Sequence, residues 1–235
     1  MHKVLHAFTN PFAFRQALPD VWSGFLINVH MMVIAEALVL VLALLIAIVR
    51  GLPGRGAKPF RGLAILYTDF FRGTPLTIVA YACILGLPGL GYSFLKNASS
   101  EALGVIALTI VYTAYVTEVY RAGIESVHGS QRMAARSLGL SYMQALRYVV
   151  LPQAIRRVIP PLLNDFIGLQ KDTAIIGAIG VTEAAAQGTN FANSYFNYTG
   201  YFVGAVFFVY LTIPLARFTD HIIRERESRE RAAMV

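Results

Sequence analysis

The residues in this sequence that could do chemistry are the charged groups standing inside otherwise apolar runs. Glu118 and Arg121 lie three apart, as do Asp69 and Arg72. That spacing puts each pair on one helical face, where it can close an ion pair. Asp165, Lys171 and Asp172 interrupt a run that also holds Asn164, Gln170 and Thr173. Glu36 stands alone within MMVIAEALVLV. A carboxylate or ammonium in hydrocarbon is expensive, so such groups face protein or water and mark a path, a gate or a structural pair. Three readings stand for Glu36: a contact for a cationic substrate, a partner for a basic residue of another subunit, or a protonated, packed acid. Lys171 and Asp172 read equally as a structural pair between subunits or as substrate contacts. Glu118 and Arg121 read as a gating or structural ion pair in preference to a ligand site.

A second constellation is mechanical. Between two apolar segments the chain reads SQRMAARSLGLSYMQALRYVVLPQA, with Arg121, Arg132, Arg136, Arg147, Arg156 and Arg157 in or beside it. A basic loop between spans belongs on the cytoplasmic side. Residues 131–138 predict a short helix in which Ala134 and Ala135 leave room for another surface. Gly139 supplies the left-handed residue that ends it. Ser141 with Gln144 forms an S-x-x-Q capping box that starts a second helix. This helix runs through Leu146 and Leu151 until it meets Pro152, which cannot continue it as a donor. The product is a helix–turn–helix elbow offering a small surface to a soluble partner; the alternative is an ordinary basic cytoplasmic loop.

Other chemistries find no support. GLPGRGAK at 51–58 is a near miss to a P-loop, with Ala57 where Lys should follow the second Gly, so this chain is not expected to bind ATP. Its five His are scattered without zinc spacing, and no metal site is predicted. There is no G-x-S-x-G elbow, and no catalytic residues are assigned. The single Cys83 lies in an apolar run, as a small buried hydrophobe does.

The elements that position these groups follow from composition. Hydrophobic residues make up 56% of the 235 and charged ones 14%, with a mean hydropathy of +0.57. Soluble domains carry more charge, and the apolar runs are of bilayer length. The net charge of +7 falls beside spans, as orientation signals do, so nucleic acid is not an expected partner. Spans are predicted near 22–49, 74–87, 102–120, 160–181 and 200–216, the fourth scoring weakly because of its polar residues. Residues 62–72 read as an interfacial segment that Gly73 and Pro75 kink away from the second span. Residues 182–199, with Glu183 and no basic residue, read as an external loop. The reading is an all-α integral membrane protein of about five transmembrane helices, N-out and C-in. Residues 1–23 form an external segment, 24–218 the membrane domain and 219–235 a charged cytoplasmic tail. Contact with the lipid bilayer is implied throughout.

Ala134, Ala135, Gly139 and Leu151-Pro152 resemble the EAA-type loop of ABC-importer permeases, a type-1 transmembrane domain. FFRGTPL at 70–76, AYVTEVYRAGIESV at 114–127 and QKDTAIIGAIGVTE at 170–183 are similar to the polar amino-acid group, over nearly the full length. The resemblance implies a binding-protein-dependent permease of the bacterial cytoplasmic (inner) membrane, with the type I ABC importer fold. It implies a second permease subunit, two ABC ATPase subunits that bind ATP and Mg, and an extracytoplasmic substrate-binding protein. It places ATPase coupling on Met133, Ala134, Ala135, Leu138, Gly139, Leu151 and Pro152. Glu36, Arg72, Glu118, Arg121, Asp165, Lys171 and Asp172 are candidates for the translocation path or its gate. Met133 departs from the family, standing where a Glu is usual; it makes neither a capping box with Ser130 nor a charged contact. The alternatives are an ATP-independent small carrier or channel subunit, or an ABC permease for another small polar solute such as an opine.

Overall fold

The computed structural model describes residues 10–52, 54–127 and 129–232, and every regular element among them is helical. Helix α1, Pro11–Gly51, starts at Asn10, whose side chain accepts from the Phe12 and Ala13 amides. It therefore begins well before the span predicted near 22–49. At 41 residues it is roughly twice the length a bilayer needs. One seam, Met31, Ala35, Val39 and Ala43, is buried, while Leu38, Leu42, Leu45 and Ile48 stay exposed. An exposed leucine face of this kind belongs in lipid.

Helix α2 is Lys58–Gly73 and α3 is Leu76–Tyr81, continued by a wide turn Ala82–Gly86 and a tight one Leu87–Leu90. The chain bends by 105° between α2 and this second limb, because Pro75 has no amide to extend the first helix. The kink expected at Gly73 and Pro75 is present. Asp69 and Arg72 do not close the pair their spacing allows; among the described residues no ion pair joins them. Arg72 occupies the last turn before the bend and lines clefts against the later helices instead.

After a single turn, α4 (Ser93–Lys96), the chain enters α5, Ser100–Glu125, capped by Ser99. Then come α6 (Gly129–Ser137), α7 (Tyr142–Ala145), α8 (Leu151–Gly177), α9 (Ala184–Tyr195) and α10 (Thr199–Ala232). Among the described residues, three helices are long and apolar enough to cross a membrane: Pro11–Gly51, Ser100–Glu125 and Thr199–Glu225. The bent pair α2–α3 meets the same test when taken together. Helix α8, 27 residues long, does not. Its Gln170 and Thr173 turn inward, as the cost of polar groups in lipid favours, while Asn164 and Lys171 are exposed. Gln170 is 1% exposed and accepts from the Thr212 hydroxyl at 2.7 Å.

The main core joins α1, α3, α5 and α8 through Met31, Val39, Val79, Leu108 and Leu169. A second cluster, with Val21, Phe25, Phe191 and Val203, holds α9 and α10 on α1. The segment predicted as an external loop is thus largely a helix. Ala184, Gly188, Phe191 and Ala192 are its buried stripe, at the spacing of one helical face.

Candidate functional site: an exposed elbow beside a polar cleft

The elbow follows from local chemistry. Gly139 sits at φ 86°, and two bonds close the helix end in the Schellman pattern. The Leu140 amide donates to the Ala135 carbonyl at 3.2 Å and the Gly139 amide to that of Arg136 at 3.0 Å. The capping box also forms: the Ser141 amide donates to Gln144 Oε1 at 2.8 Å and the Gln144 amide to Ser141 Oγ at 3.2 Å.

Two expectations need correction. Helix α6 starts at Gly129, so Ser130 lies inside its first turn and not at its cap. The second helix does not stop at Pro152 either. A wide turn over Leu146–Val150 carries it into α8, the Leu151 amide donating to the Leu146 carbonyl five residues back. That widened register absorbs the donor Pro152 lacks.

Met133 and Leu138 are 66% and 85% exposed. Ala134, Leu151 and Pro152 are exposed as well. Ala135 is buried, so of the two small residues only Ala134 faces outward. Val127, Val150 and Ala154 form a small apolar cluster under the elbow. The Arg157 guanidinium on α8 donates to the Ser126 carbonyl just past α5. The two helices that enter and leave the elbow are therefore tied at its base.

Above the elbow, Glu118 and Arg121 pair as their spacing predicts, Arg121 Nε and Nη2 donating to Glu118 Oε2 at 2.8 and 2.7 Å. The other carboxylate oxygen takes Arg50 from the end of α1. Arg50 also donates to Thr68 on α2 at 2.9 Å, and Arg121 reaches Glu125. Sequence reasoning missed Arg50, which lies 68 positions away. Glu118 thus fastens α1 to α5, with α2 attached through Arg50. The Arg50 and Glu118 side chains are only 12% and 15% exposed. Removing one partner of such a pair strands the other charge, at a cost of about 3–5 kcal/mol. Glu118→Gln is expected to lower the thermal midpoint of the detergent-solubilised protein. Arg50→Met with Glu118→Gln is expected to lower it by less than the two single changes added together. Strict additivity would mean the pair is not coupled.

A cleft of about 640 Å³ opens beside this lock, lined among others by Arg72, Tyr115, Glu118, Arg157 and Asp165. A second, of about 430 Å³, is lined by Arg72, Thr74, Tyr115, Asp172 and Ile175. Arg72 and Tyr115 border both. The Asp172 carboxylate accepts from the Tyr112 hydroxyl at 2.8 Å, while Lys171 is exposed and lines neither cleft. Glu36 is half-buried, and its Oε2 is buried without a hydrogen-bond partner among the described residues.

A third polar site was not anticipated. Glu183, wholly buried, caps α9 by accepting from the Ala185 and Ala186 amides at 2.9 and 2.8 Å. Asn28 donates to Glu183 and to Thr173, both at 3.0 Å, and accepts from the Ala184 amide at 3.1 Å. An acid followed by an alanine run at 183–186 is the helix-start signal that pointed there.

An all-helical membrane bundle with an exposed elbow beside a polar internal cleft is the build of a transport permease. The chain belongs to the family of binding-protein-dependent transport system inner membrane components, whose model matches residues 40–227. Among curated relatives it is 37% identical over 171 residues to the probable glutamine ABC transporter permease protein GlnM of Bacillus subtilis (72% of this chain, 77% of that one). It is 32% identical over 207 residues to the glutamate transport system permease protein GluC of Corynebacterium efficiens (84% and 90%). Its fold matches a crystallised amino acid ABC transporter at TM-score 0.83 and 30% identity, covering 92% of this chain and 99% of that one. The inward-facing MetNI methionine ABC transporter shares the fold at TM-score 0.65 and 21% identity, with 93% and 99% covered.

Proposed function

We propose that this chain is the permease subunit of an ATP-driven importer that carries a polar amino acid across a bacterial cytoplasmic membrane. Its substrate is delivered by an external binding protein, and ATP with Mg is bound and hydrolysed in two partner ATPase chains. The observation that carries this reading is the elbow, a rigid surface exposing Met133 and Leu138 at the junction of α5 and α8. Closure of ATPases seated there would move the elbow as a body and tilt both helices beside the cleft. The basic residues around the elbow favour the cytoplasmic side for it, which sets the N-terminus outside and the C-terminal helix end inside. Counting α8 and the bent α2–α3 pair gives five crossings. Five helices are few to enclose a polar path, so the cleft is completed by a second permease subunit about a two-fold axis.

The test is uptake of labelled basic, acidic, amide and neutral amino acids by cells with and without the gene. The expected result is loss of uptake of one class on deletion, with restoration by the gene. Unchanged uptake across the whole panel would overturn the amino-acid reading.

A further inference from the structure

Helix α10 turns one face away from the bundle. Phe202, Val206, Val209, Tyr210 and Ile213 recur there at helical spacing, and with Pro214 they line an open groove of about 590 Å³. No charged residue enters that lining. All five are exposed, Tyr210 at 79%, so the bundle itself leaves the groove uncovered. From Phe202 to Ile213 the groove runs about 17 Å at the rise of an α-helix, close to the ~15 Å of hydrocarbon in one leaflet. The same face then becomes cationic. Arg217 follows Ile213 by one turn, and Arg224 lies two turns further on. Both are exposed, and neither joins an ion pair among the described residues. Asp220 shares this face and is exposed too, so one acid stands against the two arginines.

We propose that this groove binds an anionic phospholipid, with one acyl chain along Phe202 to Ile213 and the phosphate on Arg217, Arg224 standing beyond. An apolar slot that ends at cations matches a molecule that is apolar along its length and anionic at one end. Arginines beside a span attract acidic lipids, and the guanidinium fork pairs with phosphate through two parallel bonds. A zwitterionic lipid offers the same chain but brings its own ammonium towards the arginines. A second copy of this chain is the competing occupant, and charge argues against it. A two-fold axis along the membrane normal at this face would bring Arg217 and Arg224 towards their own copies, and like charges across a contact are costly. The clefts that a second permease would complete are lined from α2, α3, α5 and α8, not from α10. The lipid site rests on α10 crossing the membrane and not on which solute is carried. A lipid held there fixes the depth of the Arg217 turn in the membrane.

The experiment uses the full-length protein purified in non-ionic detergent, together with the subunits that copurify. Native mass spectrometry counts bound lipid during competition between phosphatidylglycerol and phosphatidylcholine with identical dioleoyl chains. The wild type is expected to retain phosphatidylglycerol in preference. Arg217→Gln is expected to weaken that retention about fivefold, and Arg217→Gln with Arg224→Gln about 25-fold, the scale of one membrane-surface arginine each. Ile213→Trp fills the groove while keeping both arginines, and is expected to lower phosphatidylglycerol retention to the phosphatidylcholine level. Equal retention of the two lipids by the wild type would overturn the proposal. An unchanged preference in the double arginine variant or in Ile213→Trp would do the same. Displacement of phosphatidylglycerol by chain-free glycerophosphate would reveal an anion site that needs no groove, and would also overturn it. Loss of a two-copy species on Ile213→Trp would make this face a subunit contact instead. Where the arginine changes prevent insertion, Ile213→Trp decides the matter, because its charges beside the span are those of the wild type. Failure of the lipid preference leaves the permease reading in place.

Discussion

Replacing Gly24 with alanine is expected to destabilise the protein by about 1–3 kcal/mol, the usual cost of forcing a methyl group into packed space. A Cβ at this position would stand 2.6 Å from the Glu183 carbonyl carbon and 2.7 Å from the Ala184 nitrogen. Both are backbone atoms, so no side chain can swing aside. Relief requires moving the start of α9 away from α1. That movement pulls against the Asn28 bonds to Glu183 and the Ala184 amide. It thereby weakens the satisfaction of a wholly buried acid, and under-satisfied buried acids are costly. Gly62 in α2 is the control. Nothing lies within 4 Å of its Cβ position, and alanine at an open helical glycine is expected to stabilise by about 0.5–1 kcal/mol. The two variants should therefore shift the thermal midpoint in opposite directions. Equal midpoints would mean that the Asn28–Glu183 junction does not clamp α9 to the bundle.

That junction also shows where sequence reasoning ends. Asn28 meets Thr173 and Glu183 across 145 and 155 positions. Taken singly, Asn28 is a polar residue inside a long apolar helix, and Thr173 and Glu183 are ordinary polar groups near helix ends. Only the packing of α9 onto α1 brings them together, and the packing stripe was hidden because 182–199 reads by charge as an external loop. Arg50 escaped for the same reason: its mate Glu118 pairs visibly with Arg121 on its own helix, and a local pair already accounted for the acid. What was legible was what is local. Gly139, the Ser141–Gln144 box, the break before Pro75 and the inward-facing polar side of α8 each depend on residues within a turn or two. Where local rules competed, the outcome turned on register. Pro152 was expected to end a helix, but a single widened turn lets the chain absorb it. Asp69 and Arg72 had the right spacing, yet the 105° bend after Gly73 leaves Arg72 lining the clefts.

The locality of the elbow makes it separable from the fold, and a backbone change at Gly139 is expected to stop transport without removing the protein. Gly139 has φ 86° and open space around its Cβ position. The obstacle to Gly139→Val is therefore conformational. A β-branched residue in the left-handed region is a backbone outlier, at a cost of about 1–2 kcal/mol. The helix end relaxes instead, releasing the bonds from Gly139 and Leu140 to Arg136 and Ala135 and turning Met133 and Leu138 away from their present directions. Leu138 is 85% exposed, so the bundle core loses little and membrane insertion is expected to be normal. Uptake is expected to fall about tenfold, the ratio that ~1.4 kcal/mol of lost docking free energy produces. Gly139→Asn separates backbone shape from residue identity, because asparagine enters the left-handed region several-fold more readily than most residues. It is expected to retain most uptake. Wild-type uptake by Gly139→Val, at wild-type protein levels, would mean that the elbow does not transmit movement to α5 and α8. The alternative would then be an ATP-independent carrier, whose transport does not depend on how α6 is presented.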